Sequence, residues 1–369
     1  LQNKTFGSHS VPEGWLIAAA GNPPEYNKSV REFDIVTLDR VRRMDIEADL
    51  DVWMEYAWKK EIHGSILAYL GMKKDHFYSV ENTVDGKFFV TARGWEDLSE
   101  ILKAYEELGV EITENLIGEY LCRDEIARSY FASYQLYRKY GEDYGLKRLL
   151  SGEMAEEEQQ KKVKMAEGAS FEERFLVTGL LLSGLNGSFL DYEKLDKETG
   201  AVYQELLHLK AFLHDKKDMT ALDEFTDVKK KSLAVRLEAE LLNLEQQTTE
   251  EFVIRTLEEF SLTIRKEHIT DTETGFERIR QLFTEMVEKR KDCAKKISRE
   301  LERAFAFMKA CFGDGQETVL FVTGLTRNSH AAAFIREYGC DPYFACSEKL
   351  LYRKQEKKLQ EECESLLKI

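Results

Sequence analysis

Proline is rare in this chain, and its distribution is uneven. Only four of the 369 residues are proline. Pro12, Pro23 and Pro24 lie near the beginning of the sequence, and Pro342 lies near its end. Because proline disrupts the interior of a helix, the long stretch between Pro24 and Pro342 carries no strong helix breaker. The sequence therefore predicts a mainly α fold.

Cysteine pairs and long apolar runs are also lacking. The six cysteines form no CxxC pair, so the sequence indicates neither a zinc ribbon nor a dense disulfide framework. No apolar run approaches the roughly 18 to 20 residues that a membrane-spanning helix needs. We expect a cytoplasmic protein that has no metal site and does not enter a membrane.

Positive charge is in deficit. Lysine and arginine number 53 against 68 aspartate and glutamate residues, which gives a formal net charge of -15 and a pI of about 5.2. Non-specific affinity for nucleic acids comes mostly from lysine and arginine side chains that neutralise phosphates. The composition therefore argues against nucleic acid as the main partner.

Polar residues follow a predicted strand near the beginning of the chain. Residues 15–20 are apolar on both faces, which is typical of a buried strand, and Asn22 lies just past their carboxyl end, after Gly21. A helix capped by Ser29 is predicted to end at Asp39-Arg40, ahead of a second strand over residues 43–48. Such polar groups gather at one edge of a sheet, where α/β proteins bind ligands.

A second group of signals follows between residues 51 and 145. Residues 52–70 predict one amphipathic helix, and Asp85-Gly86 predicts a β-hairpin. Thr91 then caps a helix predicted over residues 92–108, with Arg93 in its first turn. The helix dipole disfavours a cation in this turn, and a bound phosphate would compensate for it. The alternative is that Arg93 has a packing role, in which its aliphatic stem covers Trp95 or another neighbour.

This order of residues resembles the second half of an AAA+ ATPase core of the MoxR type, over roughly residues 1–140. In that family a strand ends in a sensor Asn, a later Asp-Arg supplies an arginine to the neighbouring subunit, and a lid helix begins with a second sensor Arg. The resemblance implies that Asn22 contacts the γ-phosphate or the attacking water, that Arg40 is the arginine finger, and that Arg93 contacts the nucleotide.

Each of these residues also has a plainer interpretation. Asn22 can be a turn former ahead of two prolines. Arg40 can belong to a solvated basic face together with Arg31, Arg42 and Arg43, which are also the alternative candidates for the finger. The sequence alone leaves both interpretations open.

The resemblance also implies cofactors and partners. The chain has no GxxxxGK[ST] loop, and no apolar strand ending in Asp-Glu precedes Trp15. ATP and Mg²⁺ are therefore implied for a full-length protein, and we expect this fragment not to hold them tightly. The implied partners are further copies of the chain in a ring, and a client or a protein with a von Willebrand factor A domain.

We predict three parts of the chain. Residues 1–50 are expected to form the C-terminal part of an AAA+ α/β core, residues 51–145 a helical lid with a β-hairpin, and residues 146–369 a helical domain. Within the lid, residues 114–140 predict one helix with an aromatic stripe, which is either core or a base-stacking surface. Residues 141–170 read as a linker.

The third part reads as successive helices that pack as long antiparallel pairs. The longest, over residues 272–311, has a coiled-coil-like seam that includes Arg290 among apolar residues. Near its end, residues 319–323 predict a short buried strand, followed by a helix capped by Asn328 or Ser329.

Two functions from different classes follow from the sequence. The leading one is the C-terminal part of a MoxR-like AAA+ ATPase, which couples ATP binding and hydrolysis to remodelling or maturation of a client protein. The fragment would supply the sensor and lid elements. The alternative is a non-catalytic helical scaffold or protein-interaction module whose long helices bind another protein.

Overall fold

A computed structural model describes residues 5–6, 9–21, 35, 39–83, 86–216 and 218–349 of the chain. The chain divides into two units, Leu1–Asp49 and Leu50–Ile369. Asn22 and Arg31 lie outside the described residues, and so does most of the helix predicted to begin at Ser29. Among the described residues, no helix combines the length and the apolar character that crossing a membrane requires.

The first unit contains one short antiparallel ladder, in which β1 (Thr5–Phe6) pairs with β2 (His9–Ser10). Residues 15–20 and 43–48 belong to no strand, so both strand predictions are wrong. Leu16 is 86% exposed and Ile46 is 91% exposed. A strand needs a neighbour for its backbone hydrogen bonds, and within the described residues of this unit neither segment pairs with one.

The second unit is mainly helical. Its helices are α1 (Leu50–Lys59), α2 (Gly64–Met72), α3 (Ala92–Leu108), α4 (Glu114–Tyr120), α5 (Asp124–Tyr144), α6 (Leu146–Ser151), α7 (Glu156–Glu167), α8 (Phe171–Leu213), α9 (Ala221–Glu238), α10 (Leu244–Lys266), α11 (Thr272–Phe312), α12 (Gln316–Arg327) and α13 (Ser329–Tyr338). A 3₁₀ turn over Lys74–His76 follows α2, and residues 341–349 are helical.

The predicted β-hairpin and the helix after it are confirmed. Strand β3 (Ser79–Thr83) pairs antiparallel with β4 (Gly86–Val90). Helix α3 begins after Thr91, whose side chain accepts a hydrogen bond from the backbone N–H of Gly94. It ends before Gly109, which takes the left-handed conformation. Each of these features depends on local sequence signals, which is why the sequence predicts them well.

Two predicted single helices are each broken in the structure. The helix predicted over residues 52–70 is interrupted where Glu61 takes a positive φ of 55°, and His63 caps the next helix. The helix predicted over residues 114–140 is interrupted between Tyr120 and Asp124. Tyr130, Tyr134 and Tyr137 are buried, and the half-buried aromatic side chains of the segment pack against the same core. They therefore form core and not an exposed base-stacking surface.

One large hydrophobic core extends from α1 to α13. It includes Tyr144, Leu146 and Leu149, which lie on both sides of residue 145, where we predicted a domain boundary. The predicted linker, residues 141–170, instead contains α6 and α7, which pack against α11. We call this core and the helices around it the body.

The two longest helices form an antiparallel pair, as predicted. Helix α8 has 43 residues and is therefore about 65 Å long. Ser188 of α8 donates a hydrogen bond to Glu300 of α11 at 2.6 Å, whereas Tyr203, further along α8, stacks on Phe283, earlier in α11. The residue numbers rise along one helix as they fall along its partner.

A second hydrophobic core lies along the far part of this pair. It is formed by α8 from Val202 onward, α9, α10 and α11 as far as Met286. We call these segments the arm. The arm and the body share α8 and α11, so the long antiparallel helices connect two cores.

The short strand predicted over residues 319–323 is wrong, because this segment lies within α12. Phe321, Val322 and Leu325 are buried, at a spacing that fits one face of a helix. A short apolar run of this kind cannot be assigned to strand or helix from its periodicity alone. The predicted cap at Asn328 is confirmed, since its side chain accepts hydrogen bonds from two backbone N–H groups of α13.

Candidate functional site

Three of the four arginines predicted as finger candidates, Arg40, Arg42 and Arg43, are exposed in the first unit, and Arg31 lies outside the described residues. Arg40 and Arg42 are exposed and have no hydrogen bond or ion pair with any other described residue. Arg43 is exposed as well, and its Nε lies 2.8 Å from the carboxylate of Asp45. Among these three arginines, only Arg43 therefore pairs with another described residue.

Arg93 is the predicted site residue that belongs to the second unit, where it lies in the first turn of α3. Its side chain is exposed, and within the described part of the chain it has no hydrogen-bond or ion-pair partner. Asn22 lies outside the described residues, and Arg40 belongs to the first unit. Arg93 is consequently the site residue whose surroundings can be analysed in most detail.

The first turn of α3 is held rigidly beneath Arg93. Thr91 caps the helix through the backbone N–H of Gly94 at 3.2 Å. Trp95 is fully buried, and its Nε1 donates a hydrogen bond of 3.1 Å to the backbone oxygen of Phe77. The Trp95 ring also makes an edge contact with Tyr130, with ring centroids 5.3 Å apart. The residues on either side of Arg93 are therefore fixed while its own side chain points into solvent.

Gly94 allows a close approach between two helices at this point. A Cβ added to Gly94 would lie 2.8 Å from the backbone oxygen of Tyr120, the last residue of α4. The negative end of α4 therefore lies against the positive end of α3. This contact partly offsets the unfavourable position of the Arg93 cation in the first turn, which contains no acidic residue.

The same turn has capacity for an anion. The N–H groups of the first residues of a helix have no intrahelical partner, and here only that of Gly94 receives the side-chain cap. An exposed guanidinium in the same turn as the remaining N–H groups supplies donors of the kind that phosphate oxygens accept. This arrangement can bind or sense a phosphate, but it holds no nucleophile, general base or metal ligand.

A second polar cluster superficially resembles a Ser–His–Glu arrangement. His63 Nδ1 lies 2.7 Å from Ser65 Oγ, and His63 Nε2 lies 3.2 Å from Glu106 Oε2. However, Ser65 is only 1% exposed, and its Oγ also lies 2.7 Å from the hydroxyl of Tyr130. A buried hydroxyl with two partners has no room for a substrate. His63 caps α2, so this cluster is structural.

A third cluster, around Arg290, was missed at the sequence level. Arg290 connects Asp196 of α8 with Glu337 of α13, at 2.5 Å and 3.0 Å. The available signal was an arginine at a position of the α11 seam where an apolar residue is expected. That signal does not identify the partners, because these lie 94 and 47 positions away in the sequence.

Among the described residues, no group of three or more histidine, cysteine, aspartate or glutamate side chains is placed to hold a metal ion. Comparisons of the chain with protein-family models, with curated proteins and with solved structures found no match. The functional interpretation therefore rests on the residues themselves.

Proposed function

We propose that this chain is the C-terminal part of a MoxR-like AAA+ ATPase, which couples ATP binding and hydrolysis to remodelling or maturation of a client protein. The observation that carries the proposal is Arg93. It is exposed and unpaired among the described residues, yet it is mounted on a first turn fixed by Thr91, Gly94 and Trp95. A side chain that senses a phosphate needs a rigid base and a free guanidinium.

In this proposal each candidate residue has one role. Arg93 contacts the phosphates of the nucleotide bound to its own subunit, and Arg40 extends to the nucleotide of the neighbouring subunit in a ring. Asn22 orients the attacking water. ATP and Mg²⁺ are the cofactors of the full-length cytoplasmic protein, which supplies the phosphate-binding loop. The arm is a docking surface for the client or for a protein with a von Willebrand factor A domain.

Substitution of Arg93 tests the sensing role. In the full-length protein we expect Arg93→Ala to weaken ATP affinity by about tenfold or more, because a charge-assisted hydrogen bond is lost. Arg128→Ala is the matched control, since Arg128 is another exposed arginine of the same unit and pairs with Glu114 at 3.6 Å. Equal ATP affinities for the two variants would remove Arg93 from the site.

Substitution of Arg40 tests the role in the neighbouring subunit. We expect Arg40→Ala to abolish ATP turnover while leaving nucleotide binding nearly intact, because the finger acts on the transition state. In rings mixed from wild-type and variant subunits, turnover should fall in proportion to the variant fraction, because each variant subunit removes the finger from one neighbouring site. Unchanged turnover would show that Arg40 is not the finger and would leave Arg31, Arg42 and Arg43 as the candidates.

The second candidate function is a non-catalytic scaffold. It is favoured by the arm, whose separate hydrophobic core gives it the construction of a stable interaction module. The coding sequence ahead of Leu1 distinguishes the two functions. The ATPase proposal requires a GxxxxGK[ST] loop and a strand ending in Asp-Glu there, whereas a scaffold requires neither.

A further inference from the structure

The long helix pair passes from the body core to the arm core through a stretch that belongs to neither. In the body, the buried apolar residues end at Tyr192 on α8 and begin at Ala294 on α11. In the arm they begin at Val202 on α8, and Met286 packs at the edge of the core on α11. We call residues 193–200 and 287–292, all of which the structure describes, the waist. No buried member of either core lies in the waist.

Polar contacts replace the apolar core at the waist. The Nε of Arg290 makes a close ion pair with Asp196 at 2.5 Å, although the two groups are not aligned for a regular hydrogen bond. Its Nη2 donates to the hydroxyl of Tyr192 at 2.8 Å and to Glu337 at 3.0 Å. The hydroxyls of Tyr192 and Tyr338 are 2.7 Å apart. Arg290 thus joins both long helices to α13 of the body.

A second cation joins the waist to the arm. Lys197 lies 2.8 Å from Glu193 on its own helix and 2.5 Å from Glu245 on α10. Glu193 also pairs with His330 of α13. Burial alone would raise the pKa of Glu193, but Lys197 and His330 hold it below its ordinary value. We call these ion pairs, together with those of Arg290, the clasp.

A glycine lies within the waist without a packing reason. Gly200 is exposed in the interior of α8, and a Cβ added to it would meet nothing within 4 Å. Gly179, in contrast, is required on the same helix because its Cβ would lie 2.7 Å from that of Ala68. Glycine stabilises a helix interior less than any residue except proline. The waist therefore combines a glycine that weakens α8 with the absence of a buried apolar core residue.

We propose that the waist is a hinge, that the arm bends relative to the body at Gly200, and that the Arg290 clasp holds it in one orientation. Hinges form where a few residues absorb a change in the backbone and no core opposes it. Ion pairs are screened by salt and can be exchanged for other charged partners, which makes the clasp releasable. This inference goes beyond the proposed ATPase function and does not depend on it.

Single-molecule energy transfer in the complete 369-residue chain tests the clasp. Dyes attached through non-canonical amino acids at His214, at the far end of α8, and at Lys103, on α3, report the distance between arm and body. We expect one narrow distribution of the arm-to-body distance for the wild type and a broader distance distribution for Arg290→Ala. High salt should also broaden the distance distribution of the wild type. Arg280→Ala is the matched control, because Arg280 pairs with Glu277 on its own helix.

Two further variants make the outcome decisive. Glu337→Gln removes one charge from the clasp with little change in volume, so it should also broaden the distance distribution. If Arg290→Ala does not fold, Glu337→Gln alone tests the clasp. Wild-type distributions for both variants would overturn the clasp.

The position of the hinge is tested separately. Gly200→Ala, added to Arg290→Ala, should narrow the distribution again, because alanine stiffens the helix without a steric clash. Gly187→Ala is its control, since Gly187 also lies within α8 and its Cβ would meet nothing within 4 Å, but it belongs to the body. If Gly187→Ala narrows the distribution as well as Gly200→Ala does, the hinge does not lie at Gly200.

Discussion

The backbone oxygen of Tyr120 lies so close to Gly94 that a Cβ added to the glycine would be only 2.8 Å from it. The obstructing atom belongs to the backbone, so it cannot rotate away as the end of a flexible side chain can. The contact fixes the end of α4 against the beginning of α3, directly beside Arg93. Any side chain at position 94 must therefore displace the turn that carries Arg93.

We predict that Gly94→Ala lowers the free energy of unfolding by about 1–3 kcal/mol, the usual effect of overpacking. Urea denaturation followed by circular dichroism measures this change. Gly118→Ala is the control, because Gly118 lies within α4 and its added Cβ would meet nothing within 4 Å. Since alanine is the better helix former, the control should be neutral or stabilised by up to about 1 kcal/mol. Equal effects at both positions would contradict the contact.

The sequence predicts elements well where the signals are local. Helix α3 agrees with its prediction at both ends, because Thr91 and Gly109 terminate it through their own backbone and side-chain groups. The break between α4 and α5 was missed, because no proline marks it and the helix-like pattern continues through it. The sequence predicts a strand at residues 319–323 because a short apolar run fits the two-residue period of a strand as well as the roughly 3.6-residue period of a helix.

The candidate site follows the same rule. The location of Arg93 in the first turn of a helix could be predicted, since it depends only on Thr91 and the residues after it. The role of Gly94 could not, because Tyr120 approaches it through the folding of α4. The Arg290 clasp was equally hidden, since it requires Glu337 of α13 to come beside the middle of α11.

We predict that Trp95→Phe destabilises the second unit by about 2–4 kcal/mol, since it leaves a buried acceptor unpaired and opens a small cavity. Trp95 is fully buried, and the backbone oxygen of Phe77 accepts its Nε1–H. Thermal and urea denaturation, both followed by circular dichroism, measure the loss. Trp15→Phe, at a tryptophan that is 66% exposed, should change stability by less than about 0.5 kcal/mol. A loss at position 95 no larger than that at position 15 would refute the anchoring role.

Glu106 gives the stability of the second unit a dependence on pH. Burial alone would raise its pKa, but hydrogen bonds from His63 and Tyr134 lower it below the ordinary value of 4.5. A carboxyl with a lowered pKa in the folded state contributes stability above the unfolded pKa, and this contribution is lost as the pH falls through the folded pKa. The contribution should therefore be complete at neutral pH and decline in acid below pH 4.5.

Comparison with Glu106→Gln isolates this contribution. The difference in unfolding free energy between wild type and Glu106→Gln should be constant from neutral pH to about pH 5 and should shrink toward about pH 3. Glu107→Gln, in the same turn of α3, controls for the loss of one negative charge. A difference between wild type and Glu106→Gln that stays constant down to about pH 3 would show that Glu106 does not carry the dependence.

Asn328 performs two tasks in the body at once. Its Oδ1 accepts hydrogen bonds from the backbone N–H groups of His330 and Ala331, which caps α13. Its Nδ2 donates to the Oδ1 of Asn186 on α8 at 2.6 Å, and both asparagines are buried. Removal of this side chain therefore uncaps a helix and leaves a buried acceptor on α8 without its donor.

We predict that Asn328→Ala lowers the free energy of unfolding by about 2–4 kcal/mol, which combines the loss of a cap with an unsatisfied buried acceptor. Asn243→Ala is the matched control, since Asn243 caps α10 through Gln246 at an exposed position. That control should lose only about 1 kcal/mol, because water can replace the cap. In urea denaturation, Asn186→Ala combined with Asn328→Ala should cost less than the sum of the two single changes, since the second removal leaves no further partner unpaired. Strict additivity would indicate that the two side chains stabilise the body independently.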